Sequence, residues 1–528
     1  VLGAGSLAAP GRAAALARGF THGVASGDPR RDGVLLWTRY VPTRGDAAPL
    51  RYEVAQDAGF GRVVARGEVL ADAESDFCAK PAVAGLEPGR WYYYRFAAPD
   101  GTRSAIGRTR TLPDGPTGGF RIAAFSCANK PFGWFNAYAH AARRNDIDLV
   151  VHLGDYIYEY PRGDYPSERQ ALPGRIIDPA TETVRLEEYR ARYASYRLDA
   201  DLQRLHQLFP SVNIWDDHET TNDAWKGGAQ NHQPETEGDW DARMVAAKRA
   251  FREWLPMGDE DYAAYDVGDL LTLVRLDTRI EGRDKQIELA AALEGAADAR
   301  AALTRLRDGP LADPSRSMLG RNQEAWLGER LRTSTRAGTR WQLLAQQVLV
   351  GRLVTSTEAR PEWLGADAPD YSRRRFNAGL AAARADIPFN LDSWGGYPPA
   401  RARLLSDAQR AGANLVVITG DSHNAWAFDL ANDGRPAGVE FGVQSVTSPG
   451  FENSLRGVSP ERVARSLVEA NPELKWANTQ RRGYMTLSFA RDEMRCDWHL
   501  LDTVRERSLG ATAQSARVAR GTNRLSLG

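Results

Sequence analysis

The sequence predicts an α/β protein with a smaller all-β unit at its N-terminal end. Beyond about residue 120 apolar runs of buried-strand type alternate with helical-period segments, the first hundred or so residues show period-two strands between turns, and the two textures meet at a proline- and glycine-rich stretch. With 528 residues, the chain is long enough for two packed units and a large core.

The all-β unit is read over 20–112. Its strands are GVLLWTRYV around Trp37, LRYEVAQD from Leu50, RVVARGEV from Arg62 and WYYYRFAA from Trp91, with Pro99, Asp100 and Gly101 marking a turn. Short alternating strands of this kind suggest a small β-sandwich. Residues 113–119 read as a linker. In the larger region, 120–528, buried strands are expected at 121–126, 148–153, 211–215, 270–277, 342–350 and 414–420. Helices are expected at 187–207, 240–254, 290–307 and 323–336.

Ahead of the β unit, 1–19 is rich in alanine, glycine and leucine and has no acidic residue. Ala15, Leu16 and Ala17 form a small-x-small pattern, so the segment is read as the remainder of an export signal or a disordered end. Lys plus Arg and Asp plus Glu both number 68, so no net field would draw nucleic acid or an acidic membrane surface from a distance. The expected partner is small, and no apolar stretch approaches the roughly 20 residues of a membrane-spanning helix. Three cysteines, Cys78, Cys127 and Cys496, do not indicate a disulfide framework.

Four of the expected strands run directly into groups that carry chemistry. They end at Ser126–Cys127, at Asp155 and Tyr158 in GDYIYEY, at Asp216, Asp217, His218 and Asn222 in WDDHETTND, and at Asp421 and His423 in GDSHNAW. In open α/β sheets the crevice beyond the carboxyl strand ends is where ligands bind, so groups far apart in sequence can converge there. Taken singly, a cysteine is usually core filler, and an aspartate a turn or cap residue. Taken together, several desolvated charges at one edge would each cost several kcal/mol without cations to neutralise them. No HExxH or CxxC pair points to a zinc hydrolase.

The motifs SCANK, GDYIYEY, WDDHETTND, LDTR, SMLG, GDSHNAW and SVTSPG, behind an FTHGVASGDP opening, resemble the alkaline phosphatase D (PhoD-like) family of metallophosphoesterases over about residues 20–501. The resemblance implies a four-layer α/β sandwich, two β-sheets flanked by helices, behind the β-sandwich, with export by the twin-arginine route to the periplasm or medium. It also implies a site holding Fe(III) and Ca2+. Cys127, Asp155, Tyr158 and His423 would then serve the iron and Asp217 and Asp421 the calcium, with Asp155 as the bridge. Thiolate, phenolate and imidazole suit ferric iron, while hard oxygen donors suit calcium. His218 and Asn222 are the expected catalytic residues: His218 for transition-state stabilisation or general acid duty, and Asn222 for phosphate or further ligand contacts. The implied activity is hydrolysis of phosphomonoesters or phosphodiesters with release of phosphate. A phospholipase D-like diesterase is the nearest alternative, a non-catalytic secreted binding protein the second, and phospholipid and nucleotide are among the substrate forms considered. SWGGYP at 393–398 departs from the family pattern, which usually has an acidic residue where Gly395 stands.

Overall fold

The computed structural model describes residues 17–366 and 368–528. Residues 1–16 of the signal-like segment read over 1–19, all but its last three, therefore lie outside the described part. Among the described residues the strands form sheets of 11, 7 and 4 strands.

The centre of the largest sheet is parallel. Leu149–His152 lies between Gly119–Phe125 and Pro210–Asn213, in register Leu149↔Ile122 and Val150↔Ser211. The centre of the second is also parallel: Leu271–Arg275, Trp341–Ala345, Leu415–Thr419 and Arg435–Gly442 run side by side. Such strands are apolar throughout because both faces are covered, and successive residues supply different layers. Ile122 and Ala124 join Leu343, Ala345, Val416 and Ile418 in the core between the two sheets. Ala123 and Phe125 turn the other way, onto Tyr138, Tyr193, Leu205 and Phe251. Those residues belong to the helices Asn136–Ala142, Leu186–Arg197, Ala200–Leu208 and Trp240–Trp254. On the outside of the second sheet, Leu344 and Val417 meet Leu327, Leu331, Leu404 and Leu405 of Gly320–Arg336 and Pro398–Ala411. The expected four layers, helix–sheet–sheet–helix, are present.

The helix expected over 187–207 is broken in two. Asp199 accepts hydrogen bonds from the amides of Asp201 and Leu202, capping a new helix, and its carboxylate also pairs with Arg175. The 290–307 segment is likewise divided, into Leu289–Leu293 and Ala299–Asp308.

The N-terminal region is all-β. Ala47–Ala55, Val63–Asp72, Trp91–Ala97 and Gly107–Arg110 form the small sheet. Val54, Tyr92, Tyr94 and Phe96 pack on Val24, Val34, Leu36 and Tyr40 of the hairpin Gly19–Gly27 and Gly33–Val41. That hairpin is also the continuation of the largest sheet, because Ser26 pairs in parallel with Pro210. The sandwich thus buries one catalytic-sheet edge through main-chain hydrogen bonds, which removes an exposed edge.

Candidate metal centre

Each donor-bearing strand end leaves its sheet through a sharp turn. Cys127, Asp155, Asp421 and His423 all have positive φ, between +53° and +61°. Non-glycine residues adopt this region at a cost of order 1–3 kcal/mol, and clusters of them mark sites where the surroundings over-determine the backbone. Here the loops hold one another. The Cys127 amide donates to the Gly154 carbonyl at 3.1 Å and that of Ala128 to the Asp155 carbonyl at 2.8 Å. Val446 donates to the Ser126 carbonyl at 2.8 Å, and the Ser448 hydroxyl to that of Cys127 at 3.2 Å. Gly154, at φ +103°, would drive a Cβ into Asp216.

The side chains converge in three overlapping groups, within each of which the possible ligand atoms lie no more than 4.8 Å apart: Cys127, Asp155 and His423; Asp155, Asp217 and His218; Asp216, Asp217 and Asp421. Asp155 is common to the first two and Asp217 to the last two. The Tyr158 hydroxyl donates to Asp155 Oδ2 at 2.9 Å, contacts Ser448 Oγ at 2.7 Å and lies 3.4 Å from His423 Nε2. His423 is oriented from behind, since Nδ1–H donates to the Pro449 carbonyl at 2.8 Å and leaves Nε2 with its lone pair inward. Burial brings the His423 pKa down to about 4, so the ring is neutral, as a metal ligand must be.

The donors also fit cations by what they lack. Asp155 Oδ1, Asp216 Oδ2, Asp217 Oδ1 and Asn129 Oδ1 are buried without a hydrogen-bond partner. Burial, reinforced by Asp217, Glu219 and Asp421, pushes the Asp155 carboxyl well above its ordinary range. A carboxylate in that position is stable as an anion only with positive charge beside it. The Cys127 thiol and Tyr158 phenol are likewise pushed up by burial and by Asp155.

On the acidic side the protein supplies its own cation. Arg279 is fully buried and donates to Asp216, to Asp392 Oδ2 at 2.7 Å and to Asp421 Oδ1 at 2.7 Å, with Asp217 Oδ1 at 3.5 Å. Arg283 shares Asp392. Although burial raises it, Asp217 is held at about 2, chiefly by Arg279 and then by His218.

Residues 122–498 match the model of the PhoD-like phosphatase family, and residues 6–113 match the PhoD-like phosphatase N-terminal domain. The chain belongs to the PhoD-like phosphatase family. Alkaline phosphatase D of Bacillus subtilis (strain 168) is 32% identical over 517 residues, which span 92% of this chain and 78% of that protein. A solved structure described as that of PhoD aligns with a TM-score of 0.77 at 29% identity, covering 97% of this chain and 92% of the other. This PhoD-like phosphatase is a metal-dependent phosphoester hydrolase, and the described residues contain no helix long and apolar enough to cross a membrane.

Of the residues expected to form the site of this PhoD-like phosphatase, Cys127, Asp155, Tyr158, Asp217, His218, Asp421 and His423 are brought together. The Asn222 side chain turns outward to Gln230 Oε1 at 2.9 Å, and the residue's main-chain amide donates to Glu159. Gln346 and Gln347 are buried and bonded to main chain. Sequence reasoning passed over Glu159, Glu219, Arg279, Asp392 and Ser448. Glu219 accepts from the amides of Asp155 at 3.1 Å and Asp216 at 2.6 Å, and so clamps two strand ends together. The available signal was their position: all except Asp392 lie inside the quoted motifs GDYIYEY, WDDHETTND, LDTR and SVTSPG.

Proposed function

We propose that this chain hydrolyses phosphomonoesters or phosphodiesters outside the cytoplasm, with Fe(III) on Cys127, Asp155, Tyr158 and His423 and Ca2+ on Asp217 and Asp421. The observation that carries this reading is that the two outer donor groups, joined through Asp155 and Asp217, differ chemically. One half offers sulfur, phenol and imidazole, and the other carboxylates alone, the preferences of ferric iron and calcium respectively. Charge supports the same division. With Cys127 and Tyr158 ionised, the first half with Asp155 carries three negative charges. In the second half, Asp216, Asp217, Asp392 and Asp421 against Arg279 and Arg283 leave two. These balances match a trivalent and a divalent ion. A calcium site with few carboxylate ligands also suits a calcium-rich setting.

Bound cations would supply Lewis acidity and a deprotonated water at neutral pH. The chain's own residues supply the rest. Asp155 would hold the two halves at a fixed separation. His218 is the group placed to hold and deliver a proton. Its Nδ1 is 2.7 Å from Glu159 Oε2, and although burial opposes it, Glu159, Asp155 and Asp217 raise its pKa well above the ordinary value. With a proton on each nitrogen, the ring would be suited to stabilising charge that develops on a phosphoryl or leaving-group oxygen. Tyr158 and Tyr160 flank it, with ring centroids at 4.3 and 5.3 Å.

Metal analysis of purified protein together with turnover of a p-nitrophenyl monoester and diester tests the proposal. One iron and at least one calcium per chain with ester hydrolysis is the expected result. Two zinc ions in a colourless active enzyme would overturn the metal assignment, and no turnover of either ester would overturn the activity.

A further inference from the structure

The inward face of the helix Leu186–Arg197 carries Tyr189, Arg192, Tyr193 and Tyr196 at helical spacing, so an arginine stands where the period calls for a group without charge. Arg192 is fully buried. A guanidinium withdrawn from water is costly unless all its donors are satisfied, and a buried cation is ordinarily matched by an anion. Arg192 is matched by main chain instead. Its Nε donates to the Asp178 carbonyl at 3.1 Å, Nη1 to the carbonyls of Tyr158 and Tyr160, the latter at 3.1 Å, and Nη2 to those of Pro179 at 3.1 Å and Thr181 at 3.0 Å. The five N–H groups of an arginine thus meet five carbonyls.

These carbonyls belong to two stretches of chain that are also joined directly. The Thr183 amide donates to the Glu159 carbonyl at 3.0 Å, and the Arg162 amide to that of Ala180 at 2.9 Å. With the Tyr158, Glu159 and Tyr160 carbonyls all engaged, successive peptides of the GDYIYEY segment are fixed in orientation. The first of these residues carries the phenol that donates to Asp155, the second the carboxylate against His218 Nδ1, and the third a ring that flanks the same imidazole. Arg192 therefore holds the backbone from which three groups of the centre project. A lysine cannot replace it, because an ammonium has three donors and no planar fork.

We propose that Arg192 is a positioning residue for phosphoester hydrolysis: it aims Tyr158 at the iron half and, through Glu159, aims the His218 imidazole at the phosphoryl group, without itself touching metal or substrate. The inference rests on the reading above of Tyr158 as an iron ligand and His218 as the proton donor.

The test compares the metal-loaded full chain with Arg192→Lys and with Arg401→Lys. Arg401 is a buried arginine of the outer helix Pro398–Ala411, bonded to the Val350 carbonyl at 2.7 Å and to Glu473 at 2.6 Å, and serves as the structural control. Visible absorption per bound iron, the thermal midpoint, and kcat and KM per iron-bearing chain are measured, with p-nitrophenyl phosphate or methyl p-nitrophenyl phosphate as substrate, whichever is turned over. Arg192→Lys is expected to shift the absorption maximum and to lower kcat by about 10–10²-fold, the scale of a displacement of about 1 Å, with KM changed by less than about twofold. Arg401→Lys is expected to lower the thermal midpoint alone. Arg192→Gln, which withdraws the buried charge, serves the same purpose should the lysine variant not fold. An Arg192 variant that loses thermal stability but keeps the absorption and kcat of the wild type per bound iron has a structural role only, and overturns the inference while the metal and activity readings stand. Equal losses of kcat in the Arg192 and Arg401 variants overturn it as well. A wild-type protein without iron colour, or one that turns over neither ester, removes the reading on which the inference rests.

Discussion

Glu159 Oε2 lies 2.7 Å from His218 Nδ1, and the same carboxylate accepts from the Thr221 hydroxyl at 3.0 Å and the Asn222 amide at 2.8 Å. A buried carboxylate so fully bonded stays ionised, and it fixes both the tautomer and the charge of the imidazole. His218→Ala is expected to lower kcat by about 10²–10⁴-fold, the usual scale of a general acid, without emptying the metal site. Iron lost together with the rate would make His218 a ligand instead.

Glu159→Gln is expected to act through the same ring. Removing the carboxylate takes away the largest influence that raises the His218 pKa, so the proton is lost at lower pH. An enzyme that needs the imidazolium must then lose activity earlier on the alkaline side. The kcat–pH profile of the variant should therefore have its alkaline limb displaced downward, with unchanged metal content. An unmoved limb would show that His218 is not the proton donor.

Asp155→Asn and Asp217→Asn are each expected to reduce turnover by at least about 10³-fold while the circular dichroism spectrum stays that of the wild type. Each removes an anion with a buried oxygen that accepts no hydrogen bond, at the junction of two donor groups, and oxyanion-scale electrostatic losses are of this size. Most of the activity surviving in Asp155→Asn would rule that residue out as the bridge.

The purified protein is expected to absorb visible light through charge transfer from Cys127 and Tyr158 to iron, and a calcium chelator should abolish activity while leaving most of the colour. Cys127→Ser should change the absorption. Cys78→Ser and Cys496→Ser should not, because Cys78 packs among Trp37 and Trp254 and Cys496 beside Met485 and Trp498, away from the donors. A colourless enzyme untouched by excess chelator would contradict the iron and calcium assignment.

Arg279→Met is expected to destabilise the metal-free protein by about 3–5 kcal/mol, the penalty for stripping the partner from buried charges. It would leave Asp216 and Asp421 without their cation and Asp392 with Arg283 alone. Added calcium should recover more stability in this variant than in the wild type, measured as the rise in urea midpoint. Equal calcium responses would show that Arg279 and the ion do not share the same carboxylates.

The sequence by itself determined the α/β alternation and the whereabouts of the chemistry, while the layer order came only with the family resemblance. Parallel strands covered on both faces must be apolar throughout, so 148–153 and 414–420 were recognisable as buried strands, and the polar residues that follow them could only lie at an edge. Seven of the eight expected site residues meet for that reason. Tertiary structure alone decided what periodicity does not encode. Ser26 joins Pro210, so the sandwich hairpin becomes part of the catalytic sheet, a choice made by edge pairing between segments far apart in the chain. Arg279 reaches four aspartates because its guanidinium is buried at the meeting point of loops from different strands, and Asn222 turns away because Gln230 and Glu159 offer closer partners. A side chain's type says which bonds it can make, but only the packed chain determines which partner lies within about 3 Å of it.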